Sequence, residues 1–209
     1  VVGLKLAALA LNKQEDRRYI IDTFSGAHIF LREYFMETAL RQWSEDVQTF
    51  LLQTSILKQL TGGLCDAVTG QTDGEQMLAH LWNENLFIIR AEDQAWYRYH
   101  DLFAEMLRNQ LQRQFPDRTA ELHRRAAVWY MAQNMSADAV HHYLYIKDWE
   151  TAAEVIEEVG LRELAESGED SRLLRWVQQL PETVVQGHRT LLFVYLRLAN
   201  LALPRDEVT

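Results

Sequence analysis

The stretch that decides the fold is Trp96-Tyr-Arg-Tyr-His-Asp-Leu-Phe-Ala-Glu-Met-Leu107. Its first half alternates. Trp96 and Arg98 fall on one side and Tyr97 and Tyr99 on the other, the period of an aromatic-rich strand. Its second half changes to helical spacing, with Leu102, Phe103, Met106, Leu107 and Leu111 making one apolar stripe. His100 and Asp101 stand at the change. Asp101 is a good N-cap type, and the helix it would open begins with free amides and a partial positive charge. A histidine at such a junction can face an anion or simply pack there, and the residues alone leave both readings open.

Upstream, Leu86-Phe-Ile-Ile89 is apolar and β-branched, and Glu92-Asp93-Gln94 joins it to Trp96–Tyr99 as a hairpin. Three short helices are expected before it. Ser44, followed by Glu45 and Asp46, is an N-cap with acids in the first turn, starting a helix to about Leu57. Val47, Phe50, Leu51, Thr54 and Ile56 are its expected buried positions. Thr61-Gly62-Gly63 should break the chain ahead of a short turn of helix at Leu64–Val68. Thr72-Asp-Gly-Glu75 reads as a capping box that launches Gln76–Asn83. Three short helices and then a hairpin is the order of a winged helix. Further upstream, Gly3–Leu11, Gln14–Phe24 and Ile29–Trp43 also read as helices, the second closed by Ser25-Gly26.

Downstream, Pro116-Asp117 punctuates the chain. Arg118–Gln133 follows with a stripe of Leu122, Ala126, Trp129 and Tyr130. Then come Ser136–Ile146, Glu150–Glu158 opened by Asp148-Trp149, Ser171–Leu180 ending at Pro181, and Arg189–Leu203 ending at Pro204. Such lengths with short connections and small residues at the crossings suit a helical-repeat array. Ala126, Trp129 and Tyr130, then Asp138-Ala-Val140 and Trp149-Glu-Thr-Ala-Ala153, loosely echo a tetratricopeptide pattern.

Composition excludes several functions. The net charge of −9 is spread evenly, with 11 basic and 15 acidic residues in Val1–Phe115 and 10 and 15 in Pro116–Thr209. Neither half is a basic nucleic-acid module. A single cysteine, Cys65, rules out an internal disulfide and points to a reducing, cytoplasmic compartment. No apolar run approaches the ~18 residues of a membrane span. Val1–Leu11 is apolar but short, and no small-residue cleavage site follows before Lys13, so no signal peptide is expected. Beginning with Val, the chain is expected to be a piece of a longer protein.

Several motifs in order carry a resemblance: Leu51-Leu-Gln-Thr-Ser-Ile-Leu57, Leu64-Cys-Asp-Ala-Val-Thr-Gly70, Asn85-Leu-Phe87, Trp96-Tyr-Arg-Tyr-His100, Leu102-Phe-Ala-Glu105 and Leu122-His-Arg-Arg-Ala-Ala127. The series resembles the middle of the large ATP-binding LuxR-type transcriptional regulators, the maltose-regulon-activator-like members of the STAND class of signal-transduction ATPases. The resemblance covers roughly Gly3 to Ala153. It implies that residues 1–26 end a helical domain, 27–115 form a winged helix, and 116–209 begin a tetratricopeptide-like sensor. It further implies that His100 faces the phosphate of ADP in the intact protein, and that ATP and ADP are cofactors of that parent. The partners implied are the parent's own nucleotide-binding domain and a small-molecule inducer at the helical repeats. Gly3-Leu-Lys-Leu-Ala7 sits where relatives have Gly-Leu-Pro-Leu-Ala, and Lys5 in place of Pro carries no nucleotide contact over. No Gly-x-x-x-x-Gly-Lys-Ser/Thr loop is present, so this segment has no phosphate cradle of its own and no cofactor is expected in it.

The fold expected is therefore mainly α: a winged helix with one short β-hairpin, then antiparallel helix pairs of a tetratricopeptide-like array. The function expected is a non-catalytic relay in a transcription activator, holding the ADP-bound resting state and passing on inducer binding. The alternative is a helical-repeat interaction scaffold without a nucleotide role. DNA binding is disfavoured because Asp73–Asn85, in the recognition position, carries Asp73, Glu75 and Glu84 and no Lys or Arg. Adjacent His141 and His142 diverge by about 100° on a helix, and no ligand set completes a metal site around them. They are read as solvated or stacking residues. Cys65 is read as a buried small hydrophobe. Trp129, Tyr130, Trp149 and Trp176 are read as core, and Glu157-Glu158 and Glu163–Glu166 as a solvated face. No nucleophile–base pair is found, so no catalysis by this segment is expected.

Overall fold

The computed structural model describes Leu40 and residues 43–84, 87–91, 96–166 and 170–202, the side chains of 161–171, 194 and 197–202 excepted. The helices expected at Gly3–Leu11 and Gln14–Phe24, nearly all of Ile29–Trp43, and the connection Glu92-Asp93-Gln94 lie outside the described residues. Two compact units divide the chain, Val1–Leu122 and His123–Thr209.

The first unit holds helices α1 (Glu45–Thr54), α2 (Gly62–Thr69) and α3 (Gly74–Asn83), strands β1 (Ile88–Arg90) and β2 (Tyr97–Tyr99), and helix α4 (Asp101–Gln114). Ser44 caps α1 as read, its hydroxyl accepting from Val47 N at 3.5 Å. The helix stops at Thr54, because Ser55 turns its hydroxyl back to Leu52 O at 2.7 Å and the chain bends away. The expected break at Gly62-Gly63 is instead the first turn of α2, with Thr61 as its N-cap accepting from Leu64 N at 3.2 Å. The glycines serve close approach. A Cβ on Gly74 would stand 2.5 Å from Gly62 O, so α2 and α3 can start this near each other only with hydrogen at that position. The capping box at Thr72 is also corrected. Asp73 occupies the N-cap position without a side-chain bond, and Asp66 of α2 accepts from Gly74 N at 2.7 Å.

The hairpin pairs Ile88 with Tyr99, Ile89 with Arg98 and Arg90 with Tyr97. Alternation holds: Tyr97 and Tyr99 are buried while Arg98 is exposed. Leu60 adds a bridge that was not read from the sequence, exchanging two backbone bonds with Tyr97 at 2.7 and 2.8 Å. One residue flanked by turns carries no period-2 signal, which is why it is invisible in sequence. Phe103 is the centre of this core. It is fully buried, with its ring 5.0 Å from Phe87, 5.7 Å from Tyr99 and 6.3 Å from Trp43. Leu51, Leu60, Leu64, Leu78, Leu81, Leu107 and Leu111 are buried in the same unit. Each such side chain contributes about 1.5–3 kcal/mol of apolar burial.

Helix α5 (Pro116–Ala132) follows after Phe115 alone, and the boundary between the units falls inside it. The second unit continues with α6 (Ser136–Tyr145), α7 (Trp149–Glu166), α8 (Asp170–Val177), α9 (Glu182–Gly187) and α10 (Arg189–Ala202). Helix α9 falls in the stretch between Pro181 and Arg189 to which the sequence reading assigns no element, and α7 runs eight residues past the expected Glu158. Helix α7 packs against α6, α8, α9 and α10. Ala126, Ala127, Ala139, Ala152 and Ala153 are fully buried, so small side chains let the helix axes come close. Helices α5 and α6 end alike. Asn134 (φ 59°) and Lys147 (φ 58°) take the left-handed conformation, and the next amide bonds back across the turn, Met135 N to Tyr130 O at 2.9 Å and Asp148 N to Tyr143 O at 3.0 Å. Both are Schellman-type ends.

Candidate functional site

The strand–helix junction is built tightly. His100 N donates to Phe87 O at 2.9 Å and its carbonyl accepts from Ala104 N at 2.9 Å, making His100, and not Asp101, the N-cap residue of α4. Asp101 is the first helical residue. It stands 3.5 Å from Arg98 in an exposed pair that contributes little. Below the junction Tyr99 donates its hydroxyl to Thr54 Oγ1 at 2.7 Å, since the Thr54 hydroxyl itself donates to Phe50 O at 2.6 Å. Burial first, then the neighbouring Cys65, push the Tyr99 phenol well above its ordinary range. Arg108 reaches from α4 to Ser55 O at 3.3 Å and satisfies the end of α1. Against this background one group stands out: His100 Nδ1 is shielded from solvent and has no hydrogen-bond partner among the described residues. Buried polar atoms are nearly always bonded, and an exception calls for an explanation.

Cys65 is fully buried, its thiol pushed upward by burial first and by Asp66 and Glu75 next, so it is the inert small hydrophobe expected. On α3 and at its two caps, Glu75, Asp73 and Glu84 are exposed, leaving the recognition position acidic. Among the described residues no group of three His, Cys, Asp or Glu side chains could hold a metal ion. No described helix is long and apolar enough to cross a membrane.

In the second unit His142 is buried and bonded to His123, Nδ1 to Nδ1 at 2.7 Å, while His141 is exposed. Tyr145 stacks on His123 at 4.1 Å and Tyr130 on His142 at 5.4 Å. Stacking is thus right for His142, and solvation wrong. His123 was passed over, because nothing in Leu122-His-Arg-Arg125 signals a partner 19 residues away. Burial first and the neighbouring His141 next lower the His123 pKa to about 4. Of the aromatics, Tyr130 and Trp176 are buried, and Trp129 and Trp149 are half-buried. Glu157 corrects the expectation of a solvated face. Its carboxylate meets His188 Nδ1 at 3.2 Å and accepts from Leu191 N at 3.3 Å.

Comparison with known proteins fits the geometry of the first unit. The MalT winged helix domain family matches residues 36–119. Three helices, the hairpin and the helix after it all fall inside that range. Residues 36–119 are a MalT-type winged helix domain. The HTH-type transcriptional regulator MalT of Vibrio campbellii is 29% identical over 200 residues, 93% of this chain and 22% of that protein. MalT of Yersinia enterocolitica is 36% identical over 119 residues, 56% of this chain and 13% of that protein. The serine/threonine-protein kinase PknK of Mycobacterium tuberculosis is 34% identical over 204 residues, 97% of this chain and 18% of that protein. The chain therefore spans under a quarter of the length of these curated relatives. The resemblance to maltose-regulon-activator-like regulators is borne out by these matches, and PknK adds that a similar stretch occurs in a protein named for kinase activity.

Proposed function

We propose that this chain is the relay of a MalT-like regulator: its winged helix holds a nucleotide-bound resting state through His100, and its helical repeats pass inducer binding to that hold. The observation that carries the reading is His100 Nδ1, buried and without a hydrogen-bond partner among the described residues, at the start of a 14-residue helix. A ring N–H there can donate to a phosphate oxygen, and the helix start favours negative charge. The chain's own residues fit one anchor of an ADP diphosphate and supply no cradle, so the remaining contacts belong to the parent's nucleotide-binding domain. The division into 1–26, 27–115 and 116–209, the tetratricopeptide character of the last part and a cytoplasmic location are parts of the same proposal. The acidic α3 leaves DNA contact to another part of the parent. A cavity of about 370 Å³ in the second unit, lined by Val177, Leu180, Glu182, Gln186, Leu192 and Tyr195, is of a size to take a small inducer. Whether the parent's output is transcription, as in MalT, or phosphorylation, as in PknK, the relay is the same two-state equilibrium biased by ligands.

The test is His100→Ala in the full-length protein. One hydrogen bond to a charged group contributes roughly 1.5–3 kcal/mol, so the resting population should fall about ten- to a hundredfold relative to the active one. Output should need less inducer, and ADP should be retained less well. A lowered melting temperature with unchanged inducer dependence would reject the reading. A second reading, an interaction scaffold, is favoured by exposed Leu192, Phe193 and Leu196 on α10. It forecasts no effect of His100 on ADP retention.

A further inference from the structure

His188 lies between α9 and α10, and both of its ring nitrogens meet carboxylates of α7. Nε2 is 3.1 Å from Glu150 Oε2, and Nδ1 is 3.2 Å from Glu157 Oε2. Glu150 and Glu157 are seven residues apart, two turns along one helix face. The second oxygen of Glu157 accepts from Leu191 N at 3.3 Å, one of the otherwise unsatisfied amides in the first turn of α10. A neutral imidazole carries one N–H and one lone pair, so with carboxylates on both sides it must aim the lone pair at one of them. Only the imidazolium donates to both.

We propose that His188, Glu150 and Glu157 form a proton-operated clasp that holds the start of α10 to α7, closed when His188 is charged and loosened when it is neutral. The surroundings agree. The hydrogen bond to Glu150 raises the His188 pKa most, partial burial works against it, and Glu157 raises it further. Among the described side chains, the other charged ones on the packed elements are Glu154 and Glu158 of α7, Arg172 and Arg175 of α8, Glu182 of α9 and Arg189 of α10. Glu182 is engaged by Gln186 at 2.9 Å, and among the described charged groups Glu150 and Glu157 are those that act on His188. A metal ion does not serve instead, because the two carboxylates contact opposite nitrogens of one ring. With the folded-state pKa raised, the clasp's stabilisation is fully present below the unfolded value of about 6.5. It is lost as pH rises through the folded value. The α7–α10 packing of the second unit thereby responds to pH on the neutral-to-alkaline side.

The experiment is an NMR titration of the histidine C2 protons in the unmodified chain, with His188→Gln used to assign the signal, and amide hydrogen exchange at Leu191 over the same pH range. The His188 midpoint is expected above 6.5, and Glu157→Gln is expected to lower it. For each unit of that elevation, Leu191 protection should fall about tenfold as pH rises through the midpoint. A His188 midpoint at or below 6.5 in the unmodified chain overturns the proposal, as does pH-independent protection of Leu191. Should Glu157→Gln fail to fold, the unmodified chain still decides.

Discussion

The two units bury polar groups of different kinds. In the winged helix the interior hydroxyls are neutral and chained to one another, Tyr99 to Thr54 to Phe50 O, around the apolar centre at Phe103. Its clearly displaced groups, Tyr99 and Cys65, are both pushed upward, away from neutral pH. In the second unit, beside the Tyr143 phenol that burial also pushes upward, the polar groups are histidines: one buried pair set among aromatic rings, and one ring set between carboxylates. The same residue type is driven in opposite directions. His123 is lowered to about 4, chiefly by burial, and His188 is raised, chiefly by its bond to Glu150. The lesson is that in the first unit the fold displaces a phenol and a thiol, whereas in the second it displaces histidines, and in both directions.

The largest effect that can sharpen this contrast is Phe103→Ala. Removing a fully buried ring that touches three aromatic neighbours should cost about 3–5 kcal/mol in the first unit. The loss should be equal at pH 5 and pH 8, read by hydrogen exchange of α1–α4 amides. A strong pH dependence of that loss would break the comparison.

Next in size is acid. For His123, folded pKa lowered, the stabilisation is present above about 6.5 and lost as pH falls toward 4. A displacement of about 2.5 units corresponds to about 3 kcal/mol of the second unit's stability. Urea unfolding followed by exchange of α5–α7 amides should show it. Replacing His123 and His142 together by Leu should remove the acid sensitivity, since no ring is left to charge. If the double variant keeps the acid loss, the pair is not its source. The smallest effect is Tyr99→Phe. Thr54 keeps its bond to Phe50 O, so only the hydrogen bond from the phenol is lost, about 1 kcal/mol, unchanged between pH 5 and 8. A pH-dependent cost would show that the Tyr99 phenol is not held upward as burial implies.

How much of this was legible in sequence follows from distance along the chain. The switch from period 2 to helical spacing at His100, the Ser44 cap and the burial of Val47, Phe50 and Leu51 are local, and the residues state them. Asp66 capping Gly74 is eight residues away, and it displaced a capping box that looked complete. His123 and His142 are 19 residues apart, and His188 finds Glu157 and Glu150 at 31 and 38. For these no periodicity exists to be read.

The sequence by itself determined the elements, their order and the type of domain, because propensity, capping and apolar spacing act within a few residues. It also determined that α3 is acidic and that His100 stands at a helix start. Only the tertiary structure decided which polar atoms are answered. It left His100 Nδ1 without a partner among the described residues, paired His123 with His142, and closed two carboxylates on His188. The physical reason is that desolvation and hydrogen bonding depend on what the fold brings to within 3 Å of a group, and that is a property of packing that no local stretch of the chain contains.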